Sequence, residues 1–159
     1  MRKISVLFVC LGNICRSPTA HGIFEGLVKT QGLQQQIEVD SAGTGDWHLG
    51  RAPDPRATEH ASQRGYDLTH LRARLVTAAD FEHFDYVLAM DNENLVNLEM
   101  LRPEHYQGHL GLFLKFAGRA DYSEVPDPYF GGDSGFQLVL DLVEEASEGL
   151  LRHIKDKHL

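Results

Sequence analysis

Val6-Leu7-Phe8-Val9-Cys10-Leu11-Gly12-Asn13-Ile14-Cys15-Arg16-Ser17-Pro18 decides the fold: an apolar run stops on a cysteine, and an arginine-serine pair follows after five intervening residues. Ile4 to Val9 is β-branched and apolar almost without a break, the pattern of a strand buried on both faces of a parallel sheet. Such a strand hands its next residue, Cys10, to the carboxyl edge of the sheet, where open α/β folds place their ligands. Gly12 and Asn13 both tolerate left-handed backbone, so the chain is expected to curl tightly and turn its N–H groups inward. Amides of Leu11, Gly12, Asn13, Ile14, Cys15 and Arg16 would then line one small nest. Ser17-Pro18 signals a helix start, with proline at the first helical position, and Ile23, Phe24, Leu27 and Val28 fall at helical spacing between Thr19 and Gln31. The nest therefore opens onto a helix N-terminus, which favours anions.

The chemistry follows from that setting. A free cysteine titrates near ~8.5, and helix N-termini and neighbouring arginine lower this to roughly 3.5–7.5, so Cys10 is expected as a thiolate. Arg16, permanently charged and fork-shaped, suits two equatorial phosphate oxygens. Together they point to attack on phosphorus and a phosphocysteine intermediate. An inert buried thiol is the commoner fate of a cysteine that ends an apolar strand. The Gly, Asn, Arg, Ser and Pro that follow Cys10 weigh against it here.

Cleavage of a phosphate ester also needs a proton for the departing oxygen, a contribution of ~10²–10⁴ in rate. Asp127 is the candidate. In Val125-Pro126-Asp127-Pro128-Tyr129-Phe130-Gly131-Gly132, prolines stiffen and glycines release a loop beyond the apolar run Leu110 to Phe116, on the sheet edge that holds Cys10. Alone, Asp-Pro is an ordinary turn initiator. An acid at working pH requires a raised pKa, which a bound phosphate dianion would supply. Tyr129 and Phe130 are placed to wall the entrance and stack on an aromatic leaving group. Ser17 can donate a hydrogen bond to the Cys10 sulfur when that sulfur becomes the leaving group.

Length and composition bound the rest. The 159 residues, 42% of them hydrophobic, suit one domain spanning 1–159, with no linker or repeat to divide it. A net charge of −8 argues against nucleic acid as the main partner, so an anionic substrate must be captured by the local potential of the loop amides and Arg16. There is no long apolar span and no signal-peptide pattern, so membrane insertion is not expected and a cytoplasmic location is. Cys10 and Cys15 are too few for a disulfide framework. The nine histidines are scattered, without His-Glu-x-x-His or Cys-x-x-Cys spacing, and neither a catalytic metal nor a cofactor is expected.

Further strands are expected at Ile37 to Asp40, Tyr86 to Met90 and Leu110 to Phe116, and helices at Pro55 to Arg64, Ala78 to His83 and Asn92 to Leu101. A last helix runs from Gly135 to Lys157, with Leu138, Leu142, Val143, Ala146, Leu150 and Ile154 at core spacing. Right-handed crossovers give an α/β fold: a four-stranded parallel sheet, order 2-1-3-4, with helices on both faces.

The sequence resembles the low-molecular-weight protein tyrosine phosphatases. Val9 to Pro18 is similar to that family's phosphate-binding loop nearly letter for letter. Three further blocks match in order: Asp40-Ser41-Ala42-Gly43-Thr44 with Asp46-Trp47, then Pro53-Asp54-Pro55-Arg56-Ala57, then Asp127-Pro128-Tyr129-Phe130. The resemblance covers essentially the whole chain. It implies this same fold and a metal-independent hydrolase of phosphotyrosine and small aryl phosphates. It also implies Asp127 as general acid in the first step and as the base that activates water in the second. Trp47 then forms the pocket wall opposite Tyr129 and Phe130, and Asn13 and Ser41 belong to a network that props the loop. A reversible disulfide of Cys10 with Cys15, shielding the nucleophile from oxidation, is a further implication, with simple packing of Cys15 beneath the loop as the alternative.

Leu11 bears on substrate class, because in that family an aliphatic residue here accompanies phosphotyrosine and a threonine accompanies phosphoarginine. One departure stands out. The family's network commonly has a histidine in a His-x-Ala-Arg segment, whereas Thr69-His70-Leu71-Arg72-Ala73-Arg74 puts Leu71 at that place. Either His70 reaches the network through a local shift or the network lacks that member.

A protein-arginine phosphatase would use the same Cys, Arg and Asp, but Leu11 and Tyr129 argue against it. An arsenate reductase needs further cysteines to relay its disulfide. A phosphopeptide-binding module without turnover is the third rival, although Cys10, Arg16 and Asp127 give no reason for dead chemistry. The expected partner is a phosphotyrosine protein, and for a bacterial source the resemblance implies a tyrosine kinase. The sequence does not specify an oligomeric state.

Overall fold

A computed structural model describes residues 2–128 and 132–159. Strand and helix alternate: β1 (Ile4–Cys10), α1 (Arg16–Thr30), β2 (Ile37–Gly43), α2 (Pro55–Gln63), α3 (Asp80–His83), β3 (Tyr86–Ala89), α4 (Asn92–Leu101), β4 (His109–Leu112) and α5 (Gly132–His158), with a 3₁₀ turn over Phe113–Ala117. The four strands are parallel, in the order β2-β1-β3-β4. The expected topology is therefore the observed one.

β1 is central, and its two faces feed separate cores. Val6 and Phe8 point towards α1 and α5, among Phe24, Leu142 and Val143. Leu7 and Val9 point the other way, among Phe81, Phe84 and Leu98 of the α3–α4 side. This two-sided burial is why the run has no polar alternation. Phe8 is the pivot, packed edge-on against Phe24 and Phe113 with ring centroids 5.8 and 4.9 Å apart. Such a side chain contributes ~1.5–3 kcal/mol by burial.

The register fixes what meets at the carboxyl edge: Cys10 lies beside Gly43, and Val9 beside Ala42 and Ala89. β2 runs past Asp40 to Gly43, which brings that glycine to the cysteine. β4 is shorter than the apolar run that announced it. It ends at Leu112, and Phe113–Ala117 coils into the 3₁₀ turn that closes on left-handed Gly118. Phe113 and Leu114 are buried there without strand pairing, so the apolar run reported burial and not a ladder. α1 begins at Arg16, which makes Pro18 its third residue. The first turn has no intrahelical use for that missing N–H, so proline is tolerated there. α5 starts three residues before Gly135. Among the described residues no helix is long and apolar enough to cross a membrane.

Candidate active site

β1 delivers Cys10 to the sheet edge, and the chain turns back at once to begin α1. Asn13 takes the left-handed conformation, with φ 57°, whereas Gly12 does not. The turn aims the Asn13 amide at the cysteine, N to Sγ 3.2 Å. Ser17, in the first turn of α1, brings its Oγ to 3.0 Å from the same sulfur. The Asn13 side chain holds Ser17 in place, its Nδ2 donating to Ser17 Oγ at 2.8 Å while its Oδ1 accepts from the Arg74 amide at 3.1 Å. Ser17 thus has one hydrogen to give, and two acceptors in reach: the Cys10 sulfur and, at 3.4 Å, the Ala42 carbonyl.

The segment after β2 backs the loop. Thr44 and Gly45 amides donate to the Cys10 and Leu11 carbonyls, both at 2.9 Å. Gly43 has to be a glycine: a Cβ there would stand 2.8 Å from the Leu11 oxygen and 3.2 Å from the Asn13 nitrogen.

Arg16 is buried and points under the loop. Its Nη1 donates to Asp91 Oδ2 at 2.7 Å and to the Val125 carbonyl at 3.1 Å. Burial opposes its charge, but Cys10, Asp91 and Asp127 together outweigh that and raise its pKa above the ordinary arginine value. Asp91 was missed from the sequence. It is also the N-cap of α4, its Oδ1 accepting from the Asn94 amide at 2.8 Å in a reciprocal capping box. The available signal was Asp-x-x-Asn directly after β3, on the edge that carries the site.

These elements enclose a cavity of about 310 Å³ lined by Cys10, Leu11, Gly12, Ile14, Cys15, Arg16, Trp47, His48 and Asp127. The nucleophile, arginine and acid candidates are thus brought to one space. Leu11 and Trp47, 39% and 68% exposed, form an apolar rim. Tyr129 and Phe130 lie outside the described residues. His48 sits over Gly12, whose added Cβ would stand 2.9 Å from the His48 ring.

Cys15 packs with Ala57, Phe136 and Ile14. Burial, and then the charges of Asp54, Cys10 and Asp127, push its thiol up to about 12. Both cysteines are free thiols. Ser41 is buried, but its Oγ is bonded to His21 Nδ1 at 2.9 Å, and it is the carbonyl of the following residue, Ala42, that Ser17 reaches. His70 turns outward, with Nε2 3.6 Å from Glu25, while Leu71 is buried in the core. Among the described residues no cluster of three or more His, Cys, Asp or Glu is arranged to hold a metal ion.

A thiol at a strand tip, met by a turned loop amide and by a hydroxyl from the first turn of a helix, with a buried arginine lining the same cavity, defines a cysteine-dependent phosphatase. Comparison with known proteins makes the class specific: the family model for low molecular weight phosphotyrosine protein phosphatase matches residues 5–159, and the chain belongs to that family. The low molecular weight phosphotyrosine protein phosphatase of Schizosaccharomyces pombe is 41% identical over 154 residues, covering 96% of this chain and 98% of the relative. The crystal structure of YfkJ from Bacillus subtilis superposes with a TM-score of 0.94 at 39% identity, covering 100% of this chain and 99% of the other. A drosophila arginine phosphatase superposes with a TM-score of 0.90 at 37% identity, covering 96% and 98%.

Proposed function

We propose that this chain hydrolyses phosphotyrosine in proteins, and small aryl phosphates, through a phosphocysteine at Cys10. The observation that carries the reading is the Cys10 sulfur, held by the Asn13 amide and Ser17 Oγ at the base of a cavity that Arg16 and Asp127 also line. In the first step the Cys10 sulfur attacks phosphorus and the bond to the tyrosine oxygen breaks. Asp127 gives its proton to that oxygen. Arg16 and the loop amides stay with the phosphoryl oxygens, where charge builds up in the transition state. In the second step Asp127 takes a proton from water, the water oxygen attacks phosphorus, and the S–P bond breaks. The sulfur leaves with its electron pair and the Ser17 hydroxyl hydrogen bonds to it. No metal or cofactor enters either step.

Substrate class is carried by the rim. Fold alone does not separate phosphotyrosine from phosphoarginine, since a relative named as an arginine phosphatase superposes closely. Aliphatic Leu11 and aromatic Trp47 offer a phenyl ring apolar contact, and neither supplies the acceptor that a guanidinium requires. A wall role for Tyr129 and Phe130 is an expectation from their place directly after Asp127-Pro128 in the sequence. A tyrosine kinase partner rests on the family resemblance, and a cytoplasmic location on the need for a reduced thiol.

The test is turnover, with chelator present, of phosphotyrosine, phosphoarginine and phosphoserine peptides by wild type and Cys10→Ser. Phosphotyrosine turnover above the others, abolished in Cys10→Ser while phosphate still binds, is the expected result. A preference for phosphoarginine would overturn the substrate class, and activity retained in Cys10→Ser would overturn the covalent route.

A further inference from the structure

His21 is 6% exposed, deep on the inner side of α1, where a leucine would fill space without needing partners. It lies four residues after Ser17, which itself lies four after Asn13, so the three follow one another along one face of the chain as it enters the helix. That face looks onto the end of β2. Ser17 Oγ reaches the Ala42 carbonyl at 3.4 Å, and one turn on His21 Nδ1 meets Ser41 Oγ at 2.9 Å. The far side of the ring faces Glu25, Nε2 to Oε2 3.6 Å. Glu25 is held below the ordinary carboxylate range, first by His21 beside it. A carboxylate only accepts, so a proton on Nε2 suits the Glu25 side, and the tautomer that carries it there leaves Nδ1 to accept from the Ser41 hydroxyl.

Resting on the phosphatase reading above, we propose that His21 is a positioning residue of the phosphate loop. Through Ser41 it pins the end of β2 to α1, and so fixes two things. One is the Ala42 carbonyl that shares the Ser17 hydrogen with Cys10. The other is Gly43, on which the Leu11 to Asn13 backbone rests. With that edge fixed, Ser17 stays aimed at the sulfur. The step that needs this most is breakdown of the phosphocysteine, in which the S–P bond breaks and the sulfur departs with its electron pair.

Two near-isosteric variants separate the two sides of the ring. His21→Asn places its amide where Nδ1 was and keeps the Ser41 contact, whereas His21→Gln places it where Nε2 was and keeps only Glu25. The measurements are steady-state turnover and burst amplitude on an aryl phosphate, with Tm as the check on folding. His21→Gln and Ser41→Ala are each expected to lower kcat on the order of tenfold, through misalignment of the Ser17 hydrogen bond to the charged sulfur. KM should fall in parallel and the burst should become larger, because the second step has slowed. The double variant should be no worse than either single one, and His21→Asn should recover most of the kcat that His21→Gln loses. Amide chemical shifts of Asn13 and Gly43 in saturating inorganic phosphate give a readout independent of turnover, and are expected to move in His21→Gln and Ser41→Ala alike. The proposal is overturned by unchanged kcat, burst and shifts in His21→Gln. It is equally overturned by a fall in kcat with KM and burst amplitude per folded molecule unchanged, or by equal damage in the Asn and Gln variants, which would mark the ring as mere filling. Failure of the phosphatase reading would appear in the wild type, whereas failure of this inference would appear only in the variants.

Discussion

Arg16 and Asp91 form an ion pair at 2.7 Å in which the guanidinium is almost wholly buried and the carboxylate is at the same time the cap of α4. The loop cation is therefore tied to a helix end on the far side of the site, and its fork is oriented before any phosphate arrives. Such preorganisation is what electrostatic catalysis requires, because the donor need not move as charge builds on the phosphoryl oxygens.

Asp91→Asn keeps a capping oxygen but removes the charge. It is expected to lower kcat/KM on the order of 10–100-fold and to weaken competitive inhibition by inorganic phosphate, since losing a hydrogen bond to a charged group is worth about 1.5–3 kcal/mol. Thermal unfolding should fall by about 2–4 °C for each kcal/mol lost. Unchanged phosphate inhibition would show that Arg16 is oriented without Asp91.

Asp127→Asn separates acid catalysis from binding. Asparagine has no acidic proton, so a substrate with a poor leaving group, such as an alkyl or weakly activated aryl phosphate, should lose ~10²–10⁴ in turnover. One with a good leaving group needs little protonation and should lose far less. Equal losses for both would remove Asp127 from the acid role.

How much of this was legible can be read at Cys10 and at Phe113. The strand, the loop and the helix after it were all readable from Val6 to Pro18, because apolar continuity, a left-handed-tolerant pair and a helix start are local signals. Cys10, Arg16 and Asp127 line one cavity, and buried Ser17 meets the Cys10 sulfur at 3.0 Å. Locality also explains the errors. Phe113 and Phe116 extended an apolar run, but whether such residues pair or coil depends on α5, far away in sequence. Asp91 carries a capping pattern but no catalytic motif, and His21 carries neither, because each matters to the site only through a partner brought by the sheet: Arg16 across the edge for one, Ser41 of β2 for the other.

Gly43 supplies a test of the loop's backing. The Cβ of Gly43→Ala would collide with the Leu11 carbonyl oxygen at 2.8 Å, and backbone cannot rotate away as a side-chain tip can. Overpacking of this kind costs typically ~1–3 kcal/mol. Turnover should fall well beyond the stability loss, because the atoms displaced belong to the turn that aims the Asn13 amide at the Cys10 sulfur. Wild-type kcat in a merely less stable protein would show that the turn adapts.

Cys15 makes a prediction in pH. Its folded pKa of about 12 stands above the ordinary 9.0, so the fold favours the protonated thiol. The stability this contributes is fully present below pH 9 and is lost as pH rises towards 12. At neutral pH Cys15 is a poor nucleophile, and the Cys10→Ser protein should resist iodoacetamide at pH 7–8 and label increasingly as pH is raised. The same shift governs protection of the active site. If mild peroxide converts Cys10 to a sulfenic acid, closure requires the Cys15 sulfur to attack the Cys10 sulfur, forming the S–S bond and releasing the hydroxyl as water. Closure should accelerate with pH across the neutral range, and should be faster in Asp54→Asn, which keeps an N-capping oxygen for α2 while removing the charge that, after burial, most opposes the Cys15 thiolate. Activity lost to mild peroxide should then return with a dithiol reductant. Irreversible loss at such doses, or closure rates indifferent to pH and to Asp54, would leave Cys15 as packing beneath the loop.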